Sequence, residues 1–494
     1  MTPTNRRRLS GIVLGIGLAA LTNAAFAVEG EVIPVKAARA TAQKKDAFAW
    51  IDAALPDLAR LNDRIWREAE LALRETESAE ALASYLEKRG FRVERGVAGL
   101  PTAFVATWGS GQPVIGILGE YDALPGLSQE AVAFKKPVAE GQPGHGCGHN
   151  IFGVASAAAA AALKQVMESG KIEGTVKYFG CPGEETVTGK VFMARAGVFD
   201  GLSCCLQWHP GGENEVSLDS SNALNHFEVE FFGRTAHAAG DPWDGRSALD
   251  GVELADVGLN FLREHLKPTA RIHYVILDGG GAPNVVPDYA RAWYYVRDLD
   301  RESVEKDYAR VLEVIEGAAR MSGTTHKVRF ISGVHEVLPN RAGDAAVYAN
   351  LLLVGAPAFS PEEQAFAKEI QKNLGLPEKG LKTGIEPFRE PEKSWGSGST
   401  DVAEVSWITP TTSLSVAFKA DGTPGHHWTA VACAGTTIAH KCLQTAAKVM
   451  AAVGLDIIRD PALLKAMRDE WLSKTKGKPY VSPLPPDLPL PVGK

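Results

Sequence analysis

The feature that most constrains the fold is the apolar run 114–118, whose sequence is VIGIL. Side chains alternate between the two faces of a strand, so a run that is apolar throughout predicts a strand buried on both faces. An Ala-rich helix is predicted over 152–166, and further strands are predicted near 175–179 and 204–206. Strands that alternate with helices indicate an α/β domain built on a mostly parallel sheet.

Acidic and imidazole side chains follow three of these predicted strands. In chain order they are Glu120 with Asp122, Glu184 with Glu185, and His209. Ligand sites in parallel sheets collect where the strands end at their carboxyl edges. The sequence therefore predicts that these groups meet at one site.

The pattern changes after about residue 220, and a chain of 494 residues is too long for one ordinary hydrophobic core. The predicted elements there are a strand, a helix, a hairpin, a helix and a strand, at 226–232, 248–261, 284–297, 302–320 and 327–331. This order suits a small α+β, ferredoxin-like domain inserted into the larger one. Residues suited to catalysis resume in the last third, so the larger domain is expected to be split in sequence.

The N-terminus has the pattern of a secretory signal peptide, with basic residues at 6–8, an apolar stretch at 11–21 and Ala-Phe-Ala at 25–27. A membrane anchor is the alternative, but the apolar stretch is shorter than the ~20 residues of a span. We expect cleavage before Val28 and a periplasmic location, reached by the Sec or the twin-arginine route. No membrane association is expected after cleavage, since no second hydrophobic segment looks long enough to cross a bilayer. The net charge of -7, without a basic cluster beyond the first residues, disfavours nucleic-acid partners.

Potential metal ligands occur in four short segments. Cys147 and His149 lie two residues apart among glycines, and His209 and His426 each lie beside Gly and Pro. Glu184 and Glu185 are adjacent, and in an extended segment their side chains point in opposite directions, so one can bind a metal ion while the other faces the substrate. Cys, His and Glu ligands suit zinc and are possible for manganese. Five ligands exceed the needs of one tetrahedral ion, whereas two neighbouring ions would use them all.

Ten segments of the chain together resemble one protein family. They are IWREAELALRE from Ile65, GLPTAF from Gly99, GEYDALPG from Gly119, GHGCGHN from Gly144, GEE from Gly183, QWHPG from Gln207, GRTAHA from Gly233, APNVVPDYA from Ala282, GSTDVAEVSW from Gly398 and GTPGHHW from Gly422. In this order they are similar to the metal-dependent aminoacylase/carboxypeptidase G peptidases, within the amidohydrolase branch that contains the indole-3-acetyl-amino-acid and p-aminobenzoyl-glutamate hydrolases. The resemblance implies a signal peptide at 1–27, a mostly parallel-sheet metallopeptidase domain at 42–222 and 336–475, a lid/dimerisation domain at 223–335 and a Pro-rich tail at 476–494.

The resemblance also implies roles for individual residues. Two divalent ions, zinc or manganese, would be bound by Cys147, His149, Glu185, His209 and His426. Glu184 would be the general base, and His237 of the inserted domain would stabilise the tetrahedral oxyanion, often across a dimer interface. Asn284 and Arg297 match positions that hold the amide oxygen or carboxylate of the substrate, although Arg297 has a structural ion pair as its alternative role. Asp122 is expected to orient a metal ligand rather than to bind metal itself.

The implied reaction is hydrolysis of the amide bond of an N-acyl- or N-aroyl-amino acid, similar to p-aminobenzoyl-glutamate, by metal-activated water. A dipeptidase or an N-acetyl-amino-acid deacetylase is an alternative, because the same metal core serves all three. A non-catalytic periplasmic protein that binds acyl-amino acids is a further alternative, but it has no need for the additional carboxylate of Glu184. We expect a homodimer, or a heterodimer with a related chain.

Overall fold

The structure is a computed structural model of the chain and describes residues 30–391 and 398–492. The predicted signal peptide, 1–27, lies outside these residues. The helices are α1 (Ala42–Glu68), α2 (Thr76–Glu87), α3 (His149–Gly170), α4 (Glu184–Val187), α5 (Gly189–Arg195), α6 (Ala248–Leu262), α7 (Arg301–Ser322), α8 (Arg341–Val354), α9 (Pro361–Asn373), α10 (Val402–Ile408), α11 (Trp428–Ala434), α12 (Thr437–Arg459) and α13 (Pro461–Thr475). The strands are β1 (Arg92–Arg95), β2 (Phe104–Ser110), β3 (Val114–Glu120), β4 (Gly174–Cys181), β5 (Cys204–Leu206), β6 (His209–Gly211), β7 (Ala223–Phe232), β8 (Arg271–Asp278), β9 (Tyr289–Asp298), β10 (Thr325–Val334) and β11 (Ser415–Ala417).

Buried apolar side chains form two separate cores. The larger core draws on both the N-terminal and the C-terminal parts of the chain, and the smaller one on residues between Phe227 and Ala319. We call the body around the larger core the catalytic domain, and the body formed by β7–β10 with α6 and α7 the lid domain. The expected insertion of one domain into the other is confirmed.

The catalytic sheet has the strand order β1-β2-β4-β3-β5. Strand β3 pairs in parallel with β4 and β5, while β2 pairs antiparallel with β1 and β4. Four of these five strands therefore run in one direction, and β2 runs against them. The expectation of a mostly parallel α/β sheet is confirmed, and β3, the VIGIL strand, lies between β4 and β5 as its apolar sequence requires.

Helix α3 runs through the middle of the catalytic domain, where it contacts α1, α12, β3 and β4. Its alanines at 157–162 are all buried, and their small side chains let neighbouring elements approach closely. With 22 residues and a mean hydropathy of 1.2 in its 18-residue window, α3 is by length and composition able to cross a membrane. The expectation that no second segment has that length is therefore wrong. However, 89% of this window is buried inside the protein, as in the core helix of a globular domain.

The lid sheet is antiparallel throughout, with the strand order β10-β7-β9-β8. The sequence predicted a hairpin within 284–297, but the hairpin is wider and pairs β8 with β9, so 279–288 form the connection. Strand β8 lacks an apolar alternation because it is the edge strand, and most of its side chains are exposed. The Pro-rich tail packs on the catalytic domain, where Arg195 donates to the carbonyl oxygens of Pro485 and Leu488 at 3.1 and 2.9 Å.

Candidate metal centre

Cys147 and His149 lie where the loop after β3 leads into α3. Gly148 between them has a φ of +78°, and a Cβ added there would lie 2.9 Å from a side-chain carbon of Pro210. Glycine therefore permits both the left-handed backbone and the close contact at this turn. All six cysteines carry free thiols, and Cys147 is half-buried whereas the other five are buried.

Glu184 and Glu185 do not lie in an extended segment, as the sequence analysis assumed. They form the first turn of α4, which begins after Gly183 with its φ of +64°. Adjacent residues in a helix differ by about 100° in direction, so the two carboxylates still diverge. The inference that they serve different neighbours survives, although its geometric premise was wrong.

His209 and His426 approach the same place from the second layer of strands. His209 begins β6, which pairs in parallel with β11, and His426 lies in the loop that follows β11. His426 has a φ of +50° and its Nε2 lies 3.4 Å from Oε1 of Glu185. His427 instead contacts Thr429 Oγ1 at 3.1 Å, which leaves His426 as the member of the pair that faces the cluster.

The predicted metal ligands meet in two groups of three that share Cys147. In each group the potential ligand atoms lie within 4.8 Å of one another, and the groups are Cys147–His149–His209 and Cys147–Glu185–His426. Cys147 Sγ lies 3.5 Å from His209 Nε2. The structure thus brings together all five side chains that the resemblance named, and their role as ligands stays a prediction.

A third group was not expected from the sequence and consists of Glu120, His149 and Glu184. Glu120 Oε2 lies 3.1 Å from Nε2 of His149, while Asp122 Oδ1 lies 2.8 Å from Nδ1 of the same ring. Asp122 also accepts from the backbone N–H of Glu185 at 3.0 Å. Asp122 therefore holds two members of the cluster, as expected of an orienting residue, and Glu120 adds a further carboxylate beside His149.

A buried ion-pair network lies behind Glu120. The ammonium group of Lys190 contacts Glu120 Oε1 and Asp401 Oδ1, each at 2.6 Å, and all three side chains are fully or almost fully buried. The backbone N–H of Lys190 donates to Asp401 Oδ2 at 2.8 Å. Because Asp401 begins α10, this network joins the two sequence segments of the catalytic domain. It was missed in the sequence because its members are far apart in the chain.

Burial and charge shift the pKa values of this cluster. Burial raises the pKa of Glu184 well above its usual range, and the carboxylates of Glu120, Asp401 and Glu185 raise it further. Burial also raises the pKa of the Cys147 thiol to about 12 and lowers the pKa of His209 to about 4. For His149 the effect of burial is exceeded by the negative charge of Asp122, which raises its pKa. The cluster therefore holds an excess of acidic groups, an arrangement that a bound cation stabilises.

Two predicted residues of the lid lie apart from the cluster. His237 and Asn284 are both exposed, and they neighbour each other through the backbone hydrogen bond from Ala238 N–H to the Asn284 carbonyl oxygen at 3.0 Å. Nδ1 of His237 accepts from the N–H groups of Ala239 and Gly240 at 3.2 and 3.0 Å. A single chain thus leaves this histidine away from the cluster, and it is exposed rather than buried in the lid.

Arg297, by contrast, lines a cavity of about 140 Å³ between the lid sheet and the cluster. We call it the site cavity. Its walls include Glu184, Glu185, His426, Arg297, Tyr295 and His226. A larger cavity of about 720 Å³, which shares Thr186 with it, is lined by Trp293 of β9 and by Leu488 and Pro489 of the tail. Of the polar lid residues in the site cavity, the sequence analysis named Arg297 and missed His226, which looked like an ordinary strand residue.

Comparison with known proteins places the chain. Residues 222–320 match the peptidase dimerisation domain. The chain is 41% identical to one of the two related chains of p-aminobenzoyl-glutamate hydrolase from Escherichia coli (strain K12), over 86% of this chain and 94% of that protein. It is 31% identical to the Xaa-Arg dipeptidase of Mus musculus, over 87% and 92%. A dinuclear metal-binding peptidase of the M20 family from Bacillus subtilis has the same fold, with a TM-score of 0.55 and 19% identity over 83% of this chain and 99% of that one.

Together with the geometry of the cluster, these similarities make the protein a metal-dependent amidohydrolase. It belongs to the M20 family, the aminoacylase/carboxypeptidase G peptidases, as the ten sequence segments indicated.

Proposed function

We propose that this protein hydrolyses the amide bond of an N-acyl- or N-aroyl-amino acid whose leaving amino acid is glutamate or a similar residue. The observation that carries the proposal is the meeting of two ligand groups at Cys147, with the Glu184 carboxylate beside them. The 41% identity to a chain of p-aminobenzoyl-glutamate hydrolase, over most of both proteins, supports the substrate class.

Two divalent ions fit the residues that are present, and we propose zinc or manganese. Thiolate, imidazole and carboxylate form a ligand set that these ions accept. His149 Nε2 and Glu185 Oε1 are buried without a hydrogen-bond partner among the described residues, so each retains a free electron pair for a cation. When bound, two such ions polarise the scissile carbonyl and lower the pKa of a water molecule.

Glu184 is the proposed general base. It lies in one group with Glu120 and His149, outside the two groups that share Cys147. Its raised pKa favours both steps asked of it, which are to take a proton from the attacking water and to return it to the leaving nitrogen. The role requires a carboxylate that does not itself bind a metal ion.

We propose that His237 acts across a homodimer, or across a heterodimer with a related chain. Because its Nδ1 accepts two backbone N–H groups, the neutral ring carries its proton on Nε2 and offers that N–H to an oxyanion. The edge strand β8 exposes Val275, Ile276 and Leu277, and the neighbouring α6 exposes Phe261. An exposed apolar edge of this kind supports pairing with a second lid sheet.

Arg297 is proposed to bind a carboxylate of the substrate, because its guanidinium lines the site cavity and its Nε has no hydrogen-bond partner among the described residues. Asn284, which lies beside His237, is proposed to act with it on the amide oxygen in the partner's site.

A dipeptidase is the second candidate, favoured by the 31% identity to a Xaa-Arg dipeptidase. Assays of the metal-loaded protein with N-benzoyl-glutamate, N-acetyl-amino acids and dipeptides that end in arginine separate the candidates. We expect the highest kcat/KM for the aroyl-glutamate. Faster cleavage of the dipeptides would assign the second function, and binding without hydrolysis of any compound would indicate a binding protein.

Export to the periplasm is also proposed, from the signal-peptide pattern of residues 1–27. N-terminal sequencing of the protein from the periplasmic fraction should start at Val28. Full-length protein that stays in the cytoplasm would contradict this.

A further inference from the structure

The lid sheet contains a histidine to which none of the roles above applies. His226 lies on β7 and is only 1% exposed. Within the described part of the chain, neither of its ring nitrogens has a hydrogen-bond partner. Buried polar atoms in proteins are nearly always paired, so an imidazole with both nitrogens unpaired requires an explanation.

The surroundings of His226 point into the site cavity. Its cross-strand neighbour on β9 is Tyr295, whose ring centroid lies 5.2 Å away in an edge-on contact. Arg297 follows two residues later on the same face of the sheet, because side chains alternate along a strand. His226, Tyr295 and Arg297 all line the cavity that Glu184 and Glu185 close from the opposite side.

Two simpler roles fit the observations less well. A structural histidine of the core is expected to donate or accept at least one hydrogen bond, and His226 does neither within the described residues. A metal ligand is expected to lie among other ligands, and none of the three groups of potential ligands in the described residues includes His226. A ligand that enters the cavity from solution accounts for both absences.

We propose that His226 and Arg297 together bind the α-carboxylate of the amino-acid part of the substrate, with His226 as a specificity-determining donor. This inference rests on the proposed function, since it names the part of the acyl-amino acid that this side of the site recognises. Arg297 supplies the charge, and one N–H of the imidazole supplies a second hydrogen bond to the same carboxylate.

The chemistry of the two groups suits an anion. Burial, with the nearby Arg297 charge, lowers the pKa of His226 to about 3, so the ring is neutral near pH 7 and offers one N–H donor and one acceptor. The Nε of Arg297 also lacks a partner among the described residues, so both groups have a donor to spare. A carboxylate oxygen accepts hydrogen bonds from both and neutralises a guanidinium that is partly withdrawn from water.

The size of the cavity selects which carboxylate. Its volume of about 140 Å³ equals the share of fewer than five water molecules in the liquid, taking ~30 Å³ for each. A group that reaches both the cluster and His226 within this space lies close to the scissile bond. The α-carboxylate is separated from the leaving nitrogen by a single carbon atom, whereas a side-chain carboxylate is farther away.

The test compares two ligands that differ at one group, N-benzoyl-L-glutamate and its α-amide, N-benzoyl-L-isoglutamine. Binding is measured by calorimetry with metal-loaded Glu184→Gln protein, in which turnover is blocked, with and without His226→Phe. We expect His226→Phe to weaken binding of the glutamate ligand ~10-fold or more, the range for a lost hydrogen bond to a charged group. The α-amide should lose less than about threefold, because it does not offer the charged acceptor.

Matched variants control for structural effects. His326→Phe makes the same substitution on β10 of the same sheet, at a residue that does not line the site cavity, and should leave both affinities unchanged. His226→Gln keeps an N–H donor and should retain part of the discrimination. If His226→Phe does not fold, His226→Leu replaces it in the same comparison.

Equal losses for the two ligands would overturn the proposal and assign His226 to packing, and unchanged binding of both, or no binding of N-benzoyl-L-glutamate at all, would overturn it as well. Hydrolysis of N-benzoyl-L-glutamate by the wild-type protein is measured separately. Selective loss of carboxylate binding in a protein that hydrolyses none of the acyl-amino acids would leave this inference intact and refute the proposed function instead.

Discussion

His149 and Asp122 face each other in the interior of the catalytic domain, with Nδ1 of the ring 2.8 Å from Oδ1 of the carboxylate and both side chains fully buried. The second oxygen of Asp122 accepts from the backbone N–H of Glu185. One carboxylate thus orients two proposed ligands, and it directs Nε2 of His149 toward the cluster. A partner of this kind fixes both the tautomer and the direction of a metal-binding imidazole.

Asp122→Asn should therefore weaken metal binding while the five proposed ligands stay in place. We expect a loss of ~10–100-fold in affinity, since the neutral amide holds the imidazole less well. Competition with a chelating dye measures it. Asp200→Asn, at an exposed aspartate of the same domain, serves as the control and should bind metal like the wild type. Equal affinity in Asp122→Asn would remove Asp122 from this role.

The adjacent residues Glu184 and Glu185 offer a matched pair of substitutions. Glu184→Gln should keep its metal ions and lose ~100-fold or more in kcat, the range for removal of a general base. Glu185→Gln should lose metal as well as activity, because Glu185 lies in a ligand group with Cys147 and His426. Elemental analysis and kinetics on the same preparations distinguish the two outcomes. Near-normal turnover in Glu184→Gln would refute its role as the base.

Lys190→Met should destabilise the protein strongly, because it leaves the buried carboxylates of Glu120 and Asp401 without their cation. Removing one partner of a buried ion pair costs ~3–5 kcal/mol. Urea unfolding of the metal-free protein measures the change. Lys306→Met, which breaks the exposed pair with Glu302, should leave the unfolding midpoint unchanged. Equal midpoints for the two variants would mean that the buried network contributes little.

Mixing two inactive variants tests whether His237 acts across a dimer. Glu184→Gln and His237→Ala are mixed and allowed to exchange protomers. If each site combines Glu184 of one chain with His237 of the other, each mixed dimer regains one intact site. Random exchange in a two-fold dimer then restores about a quarter of the wild-type activity. If His237 acted within its own chain, the mixture would stay as inactive as its components.

Much of the architecture could be read from the sequence because it depends on local patterns. The VIGIL strand, the Ala-rich α3 and the alternation of strands with helices predicted the catalytic sheet, and turn residues marked the loops that carry Cys147 and His426. Strand β8 escaped because apolar alternation identifies strands with one buried face, whereas β8 is an edge strand with most of its side chains exposed. Likewise, the turn of α4 is too short to leave a helical periodicity.

The site was predictable where its residues lie in motifs and unpredictable where it depends on pairing over long distances. Lys190 meets Asp401 only because α5 and α10 pack together, and nothing in the local sequence of either residue indicates the other. The position of His226 in the site cavity depends on how the lid sheet faces the catalytic domain. Such features follow from tertiary packing, which sequence patterns do not specify.

The central claim is that five side chains bind two metal ions next to Glu184. Anomalous diffraction from crystals of the zinc- or manganese-loaded protein tests it most directly. The account predicts two peaks ~3.5–4 Å apart, the usual separation in two-metal sites, among Cys147, His149, Glu185, His209 and His426. A single peak, or no peak at this cluster while the protein hydrolyses its substrate, would contradict it.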